Sequence, residues 1–219
     1  MRIKAGDPSI KWAAFRPSSD KKQVIVIEDG VSRIIGITTE EIAEIEILGK
    51  PALHRIQRLE SEGWQNIRSE TIVFQESFRP YSHLHISGGD RISIAYQGDV
   101  IVGEKRSPDT DAVPIAHQLK NEVFDYHSVE MVIRILPLAE GFEADIPIFD
   151  AVHGKEMIVG FRVLGLEDLS VADFQTLTWK VQTDWNGSLQ EYWIGDETRE
   201  LLKQSSLLAE NSRLELVRE

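Results

Sequence analysis

Short runs of alternating apolar and polar residues, separated by tight-turn dipeptides, dominate this chain. Alternation with a period of two residues is typical of β-strands that place one face on a core. A dipeptide such as Asn-Gly or Asp-Gly between two such runs predicts a hairpin, because these residues tolerate the positive φ of a two-residue turn. The pattern therefore predicts a mainly β protein made of consecutive hairpins.

Three of these dipeptides also predict a register. The turn at residues 186–187 sets Trp179 opposite Ile194 and Val181 opposite Tyr192, all on one face of the hairpin. The other two turns give these pairs: Ile25 with Ile34 and Val24 with Ile35 around residues 29–30, and Tyr96 with Ile101 and Ala95 with Val102 around residues 98–99.

Further strands are predicted between and beyond these hairpins. Segments 144–150 and 155–165 form a pair, and Pro147 restricts the first to an edge or bulged position because proline cannot donate to a ladder. Other predicted strands are 12–15, 43–48, 70–77, 84–87 and the leucine-rich tail at 201–216. Segment 51–63 fits either a strand or one face of a helix. In total we expect about ten strands.

One helix is predicted near residues 125–136. Apolar residues recur there at helical spacing from Val129 onward, Asp125 or Ser128 can serve as the N-cap, and Pro137 prevents continuation. We therefore expect one β-rich domain over residues 1–219, with a loop between its halves at 106–114. Its fold is a single curved antiparallel sheet, a half-barrel or unclosed barrel, with one or two short helices, one of them in or across its concave side.

Composition and charge exclude several classes of protein. The net charge of −12 argues against a nucleic-acid partner, because phosphate contacts need clustered Lys and Arg. The absence of cysteine excludes disulfides, thiolate nucleophiles and cysteine-ligated metals. No apolar run approaches the roughly 20 residues of a spanning helix. The start of the chain has no signal-peptide core, so we expect either a cytoplasmic protein or one whose leader has been removed.

Common catalytic motifs are missing from the sequence. It contains no phosphate-binding loop, no GxSxG nucleophile elbow and no HExxH. We therefore expect no catalytic residue and no resident cofactor.

The histidine pair His83 and His85 has a spacing with a chemical meaning. On a strand, residues i and i+2 project from the same face, so both rings could ligate one divalent metal. A third ligand would come from His54, His127 or a carboxylate such as Asp90, and the spacing does not select one. The alternative, which the lack of a matched third ligand favours, is that both rings face solvent while Leu84 and Ile86 point inward.

Four aromatic residues on the C-terminal hairpin are candidates for lining a ligand groove. They are Trp179, Trp185, Tyr192 and Trp193. Core packing is the favoured interpretation for Trp179 and Tyr192, because aromatic cross-strand pairs stabilise sheets. Trp185, beside the turn, is expected to be more exposed.

This hairpin resembles that of an uncharacterised bacterial family. The similar residues are the tryptophan strand 179–181, the turn 186–187, the strand Tyr192-Trp193-Ile194 and the segment 196–199, and the similarity spans residues 124–203. The resemblance implies an exported, periplasmic protein with a curved sheet, loosely similar to the half-barrels that carry lipoproteins in the bacterial envelope. It implies no activity.

The leading functional hypothesis is a non-enzymatic envelope protein whose groove binds an apolar, lipid-like molecule or a partner segment. Two alternatives remain open. One is a metal-dependent enzyme that uses His83 and His85, and the other is an interaction module that pairs through an exposed sheet edge.

Overall fold

The structure is a computed structural model and describes residues 1–10, 12, 15–171 and 174–219. Fifteen strands lie within these residues. They are β1 (Ser18–Glu28), β2 (Val31–Ile47), β3 (Lys50–Ser61), β4 (Ile67–Phe74), β5 (Pro80–Ser87), β6 (Asp90–Gln97), β7 (Val100–Arg106), β8 (Val113–Gln118), β9 (Phe124–Asp125), β10 (Glu143–Asp150), β11 (Lys155–Val171), β12 (Phe174–Trp185), β13 (Ser188–Gly195), β14 (Leu201–Ala209) and β15 (Ser212–Arg218). A 3-10 turn (Tyr126–Ser128) leads into one α-helix, α1 (Val129–Ile135).

All fifteen strands belong to one sheet. Its order runs from β8 at one edge down to β1, then from β15 down to β9 at the other edge. Neighbours along the sheet are antiparallel, except that β9 runs parallel to β10. Within the described residues, β8 and β9 are consecutive in the chain but do not pair, so the sheet is unclosed. The predicted fold class is confirmed.

The two edges of the sheet nevertheless approach each other. The ring of His117 on β8 lies 5.0 Å, centroid to centroid, from the ring of Phe149 on β10. The hydroxyl of Tyr96 on β6 donates to Oδ2 of Asp125 on β9 at 2.7 Å. Side chains therefore hold the gap between the edges, and the sheet has the form of an unclosed barrel.

The helix packs into the concave side of this sheet, as predicted. Five apolar residues of α1 are buried in the same core as inward-facing residues of the strands: Val129, Met131, Val132, Ile133 and Ile135. Arg55 on β3 donates to the backbone carbonyl of His127 and forms an ion pair with Glu130 of α1. Apolar packing and this charged contact together fix the helix inside the barrel. No helix in the described part of the chain has the length and apolarity needed to cross a membrane.

The hairpin registers agree with prediction, with one correction. Trp179 faces Ile194 and Val181 faces Tyr192, as the turn at residues 186–187 requires. The pair Ile25–Ile34 also forms.

Val24, however, faces Gly36 rather than Ile35, because a β-bulge shifts the register beyond Ile25. Glycine is required at this bulge, since a Cβ on Gly36 would lie 2.2 Å from the carbonyl oxygen of Glu60.

The expected number of about ten strands is wrong, because fifteen form within the described residues. The ambiguous segment 51–63 is mostly strand β3, and segment 43–48 continues β2 rather than forming a separate strand. Of the strand expected at 12–15, residues 13 and 14 lie outside the described residues, and the structure places neither Trp12 nor Phe15 in a strand.

Pro147 lies on β10, and the outer side of this strand pairs with two short segments, β9 and a bridge at Arg2. Asp145 exchanges backbone hydrogen bonds with residues 1–3, and its N–H points outward. Since backbone direction repeats every second residue, the nitrogen of Pro147 also points outward, where its missing hydrogen removes no bond to β11.

Candidate functional site

A cavity of about 220 Å³ lies between the helix segment and the concave face of the sheet. Strands from both halves of the chain line it, including β1, β3, β4 and β5 on one side and β12 to β15 on the other. Much of the lining is apolar: Val24, Leu59, Ile67, Val129, Leu214 and Leu216. The cavity is therefore the remaining lumen of the unclosed barrel.

A buried charge network forms one wall of the cavity. Arg55 is 2 % exposed, and its Nε donates to Oε2 of Glu40 at 2.5 Å. Burial alone would lower the pKa of Arg55, but the charges of Glu130 and Glu40 raise it above its usual value. For Glu40, burial would raise the pKa, but the charges of Arg55, Lys22 and Arg134 hold it below 4.5. Arg55 and Glu40 therefore both carry their charges at neutral pH.

Glutamine side chains form a second polar patch in the cavity. Nε2 of Gln204 donates to Oε1 of Gln190 at 3.3 Å, and the hydroxyl of Tyr192 donates to the same oxygen at 2.6 Å. Oε1 of Gln204 is buried and has no hydrogen-bond partner among the described residues. Because buried polar atoms are normally paired, this oxygen is a ready acceptor for a donor in the lumen.

The structure separates the four candidate aromatic residues. Tyr192 and Trp185 line the cavity, and the Trp185 ring packs against Tyr126 at a centroid distance of 5.0 Å. Trp185 is half-buried, because it lies against the helix segment rather than projecting from the turn. Trp179 packs beside the main core and donates its indole N–H to Oδ1 of Asp196 at 2.7 Å, outside the lining of this cavity.

Trp193 lies on the opposite face of the sheet from Tyr192. It is 6 % exposed, with the ammonium groups of Lys180 and Lys203 at 4.8 and 5.0 Å from its ring centroid. These cation–π contacts and the lysine stems cover the ring on the outer surface. Trp193 therefore belongs to the barrel wall and does not line this cavity.

His83 and His85 lie on the concave face of β5, where His127 from the 3-10 turn meets them. His83 is 2 % exposed and His85 is 9 % exposed, so the expectation that both rings face solvent is wrong. The expected inward orientation of Leu84 and Ile86 is wrong as well, because alternation places both on the other face.

The three rings form one compact cluster. One ligating atom from each of His83, His85 and His127 lies within 4.8 Å of the others. The rings of His83 and His127 stack at a centroid distance of 4.5 Å, and the ring of His85 lies 5.4 Å from that of His127. His54 and Asp90, the other candidates for a third ligand, lie outside this cluster, and Nε2 of His54 is 3.2 Å from Glu70.

Polar groups behind the cluster orient His83. Its Nδ1 lies 3.0 Å from Oγ1 of Thr71 and 3.4 Å from Oδ1 of Asp125. A carboxylate only accepts hydrogen bonds, so this arrangement favours a proton on Nδ1 and leaves Nε2 with its lone pair. Asp125 also accepts the backbone N–H of His127 at 2.9 Å. One carboxylate thus supports two members of the cluster.

Burial favours the neutral form of His85 and of His127. Burial, followed by the nearby His83, lowers the pKa of His85. Burial lowers the pKa of His127 well below 6.5, and His83, His85 and Arg55 lower it further. Burial and Asp125 raise the pKa of Tyr96 well above 10.0, so its hydroxyl remains a donor to Asp125. Neutral imidazole is the form that ligates metals.

Sequence reasoning missed two features of this site. Nothing in the spacing selected His127 as the partner of His83 and His85, although the nearby Asp125, proposed as an N-cap, is the residue that links them. The inward positions of Arg55 and Gln57 were also missed. Their polarity interrupts the apolar alternation of β3 and is itself the signal that the strand faces a polar lumen.

Comparisons with known proteins agree with the fold and the resemblance. A family described as "Protein of unknown function (DUF3108)" matches residues 31–213, which extends the similarity well beyond residues 124–203. One solved structure, a β-barrel-like protein of the domain of unknown function DUF1849 from Brucella abortus, aligns with a TM-score of 0.53 at 9% identity and covers 92% of this chain and 98% of its own. No curated protein matches the chain. Export, and pairing through a sheet edge, stay predictions.

Proposed function

Since the chain belongs to the DUF3108 family, which is described as of unknown function, we propose its role from the geometry of the lumen. The protein binds a small, mainly apolar molecule that carries a hydrogen-bond donor, and it does so without catalysing a reaction. The resemblance to lipoprotein-carrying half-barrels supports an envelope location for this role. The observation that carries the proposal is the cavity between the helix and the concave face.

The lining of the cavity supports an apolar body for the ligand. Leu59, Leu214 and Leu216 approach it from the sheet, and Val129 approaches it from the helix. Its volume of about 220 Å³ is just below the roughly 300–1,000 Å³ of typical ligand pockets, so it suits a small molecule or one chain of a larger one.

The unpartnered acceptor of Gln204 supports a donor group on the ligand. Two neighbouring polar groups of the lining are already engaged, since Gln190 accepts from Tyr192 and Arg55 is held by Glu40 and Glu130. A ligand hydroxyl or amine that reached Oε1 of Gln204 would satisfy it and gain about 1 kcal/mol over a purely apolar analogue.

Two measurements test the proposal. In the first, the protein is purified from its host, with periplasmic and cytoplasmic fractions kept apart, and native mass spectrometry reveals any bound small molecule. In the second, 1-octanol and its methyl ether, which lacks the donor, are titrated by calorimetry. We expect 1-octanol to bind more tightly than the ether, and Gln204→Leu to remove this preference.

Two tryptophan variants test whether the probe binds in the lumen. Leu214→Trp places a large ring in the cavity and should weaken octanol binding at least about tenfold. Leu208→Trp adds the same ring at a position that is 50% exposed and should leave binding unchanged. Equal binding by both variants, or an empty protein that takes up neither probe, contradicts the proposal.

A further inference from the structure

We propose that His83, His85 and His127 bind one divalent transition-metal ion of the zinc class at the wall of the lumen. This site is independent of the apolar ligand, because it can fill with metal alone. Two of its members, His85 and His127, also line the cavity, so a metal held there borders the space in which the ligand is proposed to bind.

The first argument is that each ring offers a buried nitrogen that lacks a partner. These atoms are Nε2 of His83, Nδ1 of His85 and Nε2 of His127, and no hydrogen bond reaches them within the described chain. A buried polar atom without a partner is costly, and three in one cluster are unusual in a folded protein. A single cation placed among them would satisfy all three lone pairs.

The second argument is spacing. The ligating atoms lie within 4.8 Å of one another, whereas a tetrahedral zinc ion with Zn–N bonds of about 2.0–2.1 Å holds its nitrogens roughly 3.3 Å apart. The cluster must therefore contract by up to about 1.5 Å. Since the rings of His83 and His127 are stacked, metal binding must tilt one of them. His127 lies in a single 3-10 turn, and its half-buried side chain is the one with most room to turn.

The third argument is the support behind the ligands. Thr71 and Asp125 contact Nδ1 of His83, which leaves Nε2 directed away from them. A carboxylate behind a ligating imidazole fixes its tautomer and strengthens it as a donor, as in carboxylate–histidine–zinc groupings. Tyr96 in turn holds Asp125 in place. The cluster therefore has both ligands and an anchored outer shell.

The donor set selects the class of metal. Three imidazoles suit zinc, copper, nickel or iron, whereas magnesium and calcium prefer oxygen ligands. The nearby Arg55 would oppose a cation, but its charge is offset by its ion pairs with Glu40 and Glu130. Three protein ligands leave one coordination position of a tetrahedral ion for water or for a donor atom from the lumen.

The test uses the whole protein after removal of metals with a chelator. Zn²⁺, Co²⁺ and Mg²⁺ are titrated separately by calorimetry, and Co²⁺ binding is followed by visible absorption. We expect about one Zn²⁺ or Co²⁺ per chain, the intense absorption of tetrahedral cobalt, and no binding of Mg²⁺. The ring signals of His83, His85 and His127 should shift on Zn²⁺ addition in NMR spectra of the unmodified protein, which needs no variant.

Variants identify the ligands. His85→Gln and His127→Gln should each weaken Zn²⁺ binding by at least about 100-fold, and Thr71→Val by about tenfold, as expected for an outer-shell partner. His153→Gln is the matched control, because the side chain of His153 is 67% exposed and outside the cluster. Circular dichroism checks that each variant is folded.

Three results would overturn the site. They are substoichiometric Zn²⁺ binding to the unmodified protein, unchanged affinity in both His85→Gln and His127→Gln, and loss of binding in His153→Gln. Because Zn²⁺ is added without any apolar probe, failure here leaves the proposed ligand binding standing, and failure to bind 1-octanol leaves the metal site standing.

Discussion

Individual polar residues inside the barrel determine its chemistry. Arg55 and Glu40 on the sheet, with Glu130 on the helix, place charge where a β-barrel of this size would normally hold apolar side chains. Such groups are tolerated only when each is paired, because an unpaired buried charge costs several kcal/mol. The charged network therefore ties the helix to one position on the sheet.

Because the pKa of Glu40 is lowered in the folded protein, its ion pair with Arg55 makes the free energy of unfolding depend on pH. Its folded-state pKa lies below 4.5, so its contribution is fully present above that pH and is lost as the pH falls through the lowered value. Glu40→Gln should lower the free energy of unfolding by about 3 kcal/mol near pH 7 and by much less near pH 3. Urea unfolding at both pH values measures this difference.

A matched variant at an exposed carboxylate serves as the control. The side chain of Glu143 is 62% exposed and pairs with the equally exposed Arg162, so Glu143→Gln should change stability by less than about 1 kcal/mol. An equal loss in Glu40→Gln at both pH values would contradict an ionised, charge-stabilised Glu40.

At the scale of single elements, turn chemistry decides the strand pairs. Asn186 and Gly187 adopt φ of 55° and 92°, and this turn sets the register of the β12–β13 hairpin. The turn between β2 and β3 has the same form but uses Leu48 and Gly49, with φ of 54° and 72°. Leucine rarely adopts positive φ, so turn chemistry did not predict this hairpin.

Replacing the turn glycine should cost stability through backbone strain alone. A Cβ on Gly187 meets no atom within 4 Å, so Gly187→Ala is opposed only by its φ of 92° and should cost about 1–2 kcal/mol. Gly160→Ala on β11 is the comparison. Its Cβ would make an ordinary contact at 3.7 Å without a positive φ, so it should be neutral or slightly stabilising. Chemical denaturation measures the free energy of unfolding of both variants. A larger loss of stability in Gly160→Ala than in Gly187→Ala would contradict this prediction.

The sequence predicted those elements whose structure is determined by their own local residues. The turn at 186–187 fixed a register, and Pro137 and the apolar spacing from Val129 located the helix. The sequence did not predict the polar residues that face the lumen. Arg55 faces inward and interrupts the apolar alternation that would identify β3 as a strand. His127 joins the histidine pair on β5 because the barrel brings the 3-10 turn over that strand. Such long-range contacts leave no periodic signal along the chain.

At the scale of the whole molecule, side chains close the barrel where the backbones of its two edges do not pair. Glu156 on β11 accepts from the side chain of Asn121 at 3.0 Å and from the backbone N–H of Lys120 at 2.9 Å. Its Oε1 also lies 3.4 Å from Nε2 of His117. One carboxylate thus binds the segment between the two edges of the sheet.

Removing this carboxylate should loosen the gap between the edges without unfolding the barrel. Glu156→Ala should increase amide hydrogen exchange across residues 117–125 and leave the β1–β15 region protected. The change in global stability should stay within about 1–3 kcal/mol. Glu104→Ala, at a side chain that is 46% exposed, provides the control and should leave exchange at 117–125 unaltered. Unchanged exchange in Glu156→Ala would show that other contacts hold the gap.

The pairing of β1 with β15 has a consequence for biosynthesis. Val24 meets Leu216, nearly the whole length of the chain away, at the middle of the sheet. Because translation proceeds from the N-terminus, the hairpins from β1 to β8 are made early, while one side of β1 stays unpaired until β15, the last strand of this sheet, is made. The nascent sheet therefore exposes an unpaired strand edge until β15 is made, and its centre pairs after its two edges.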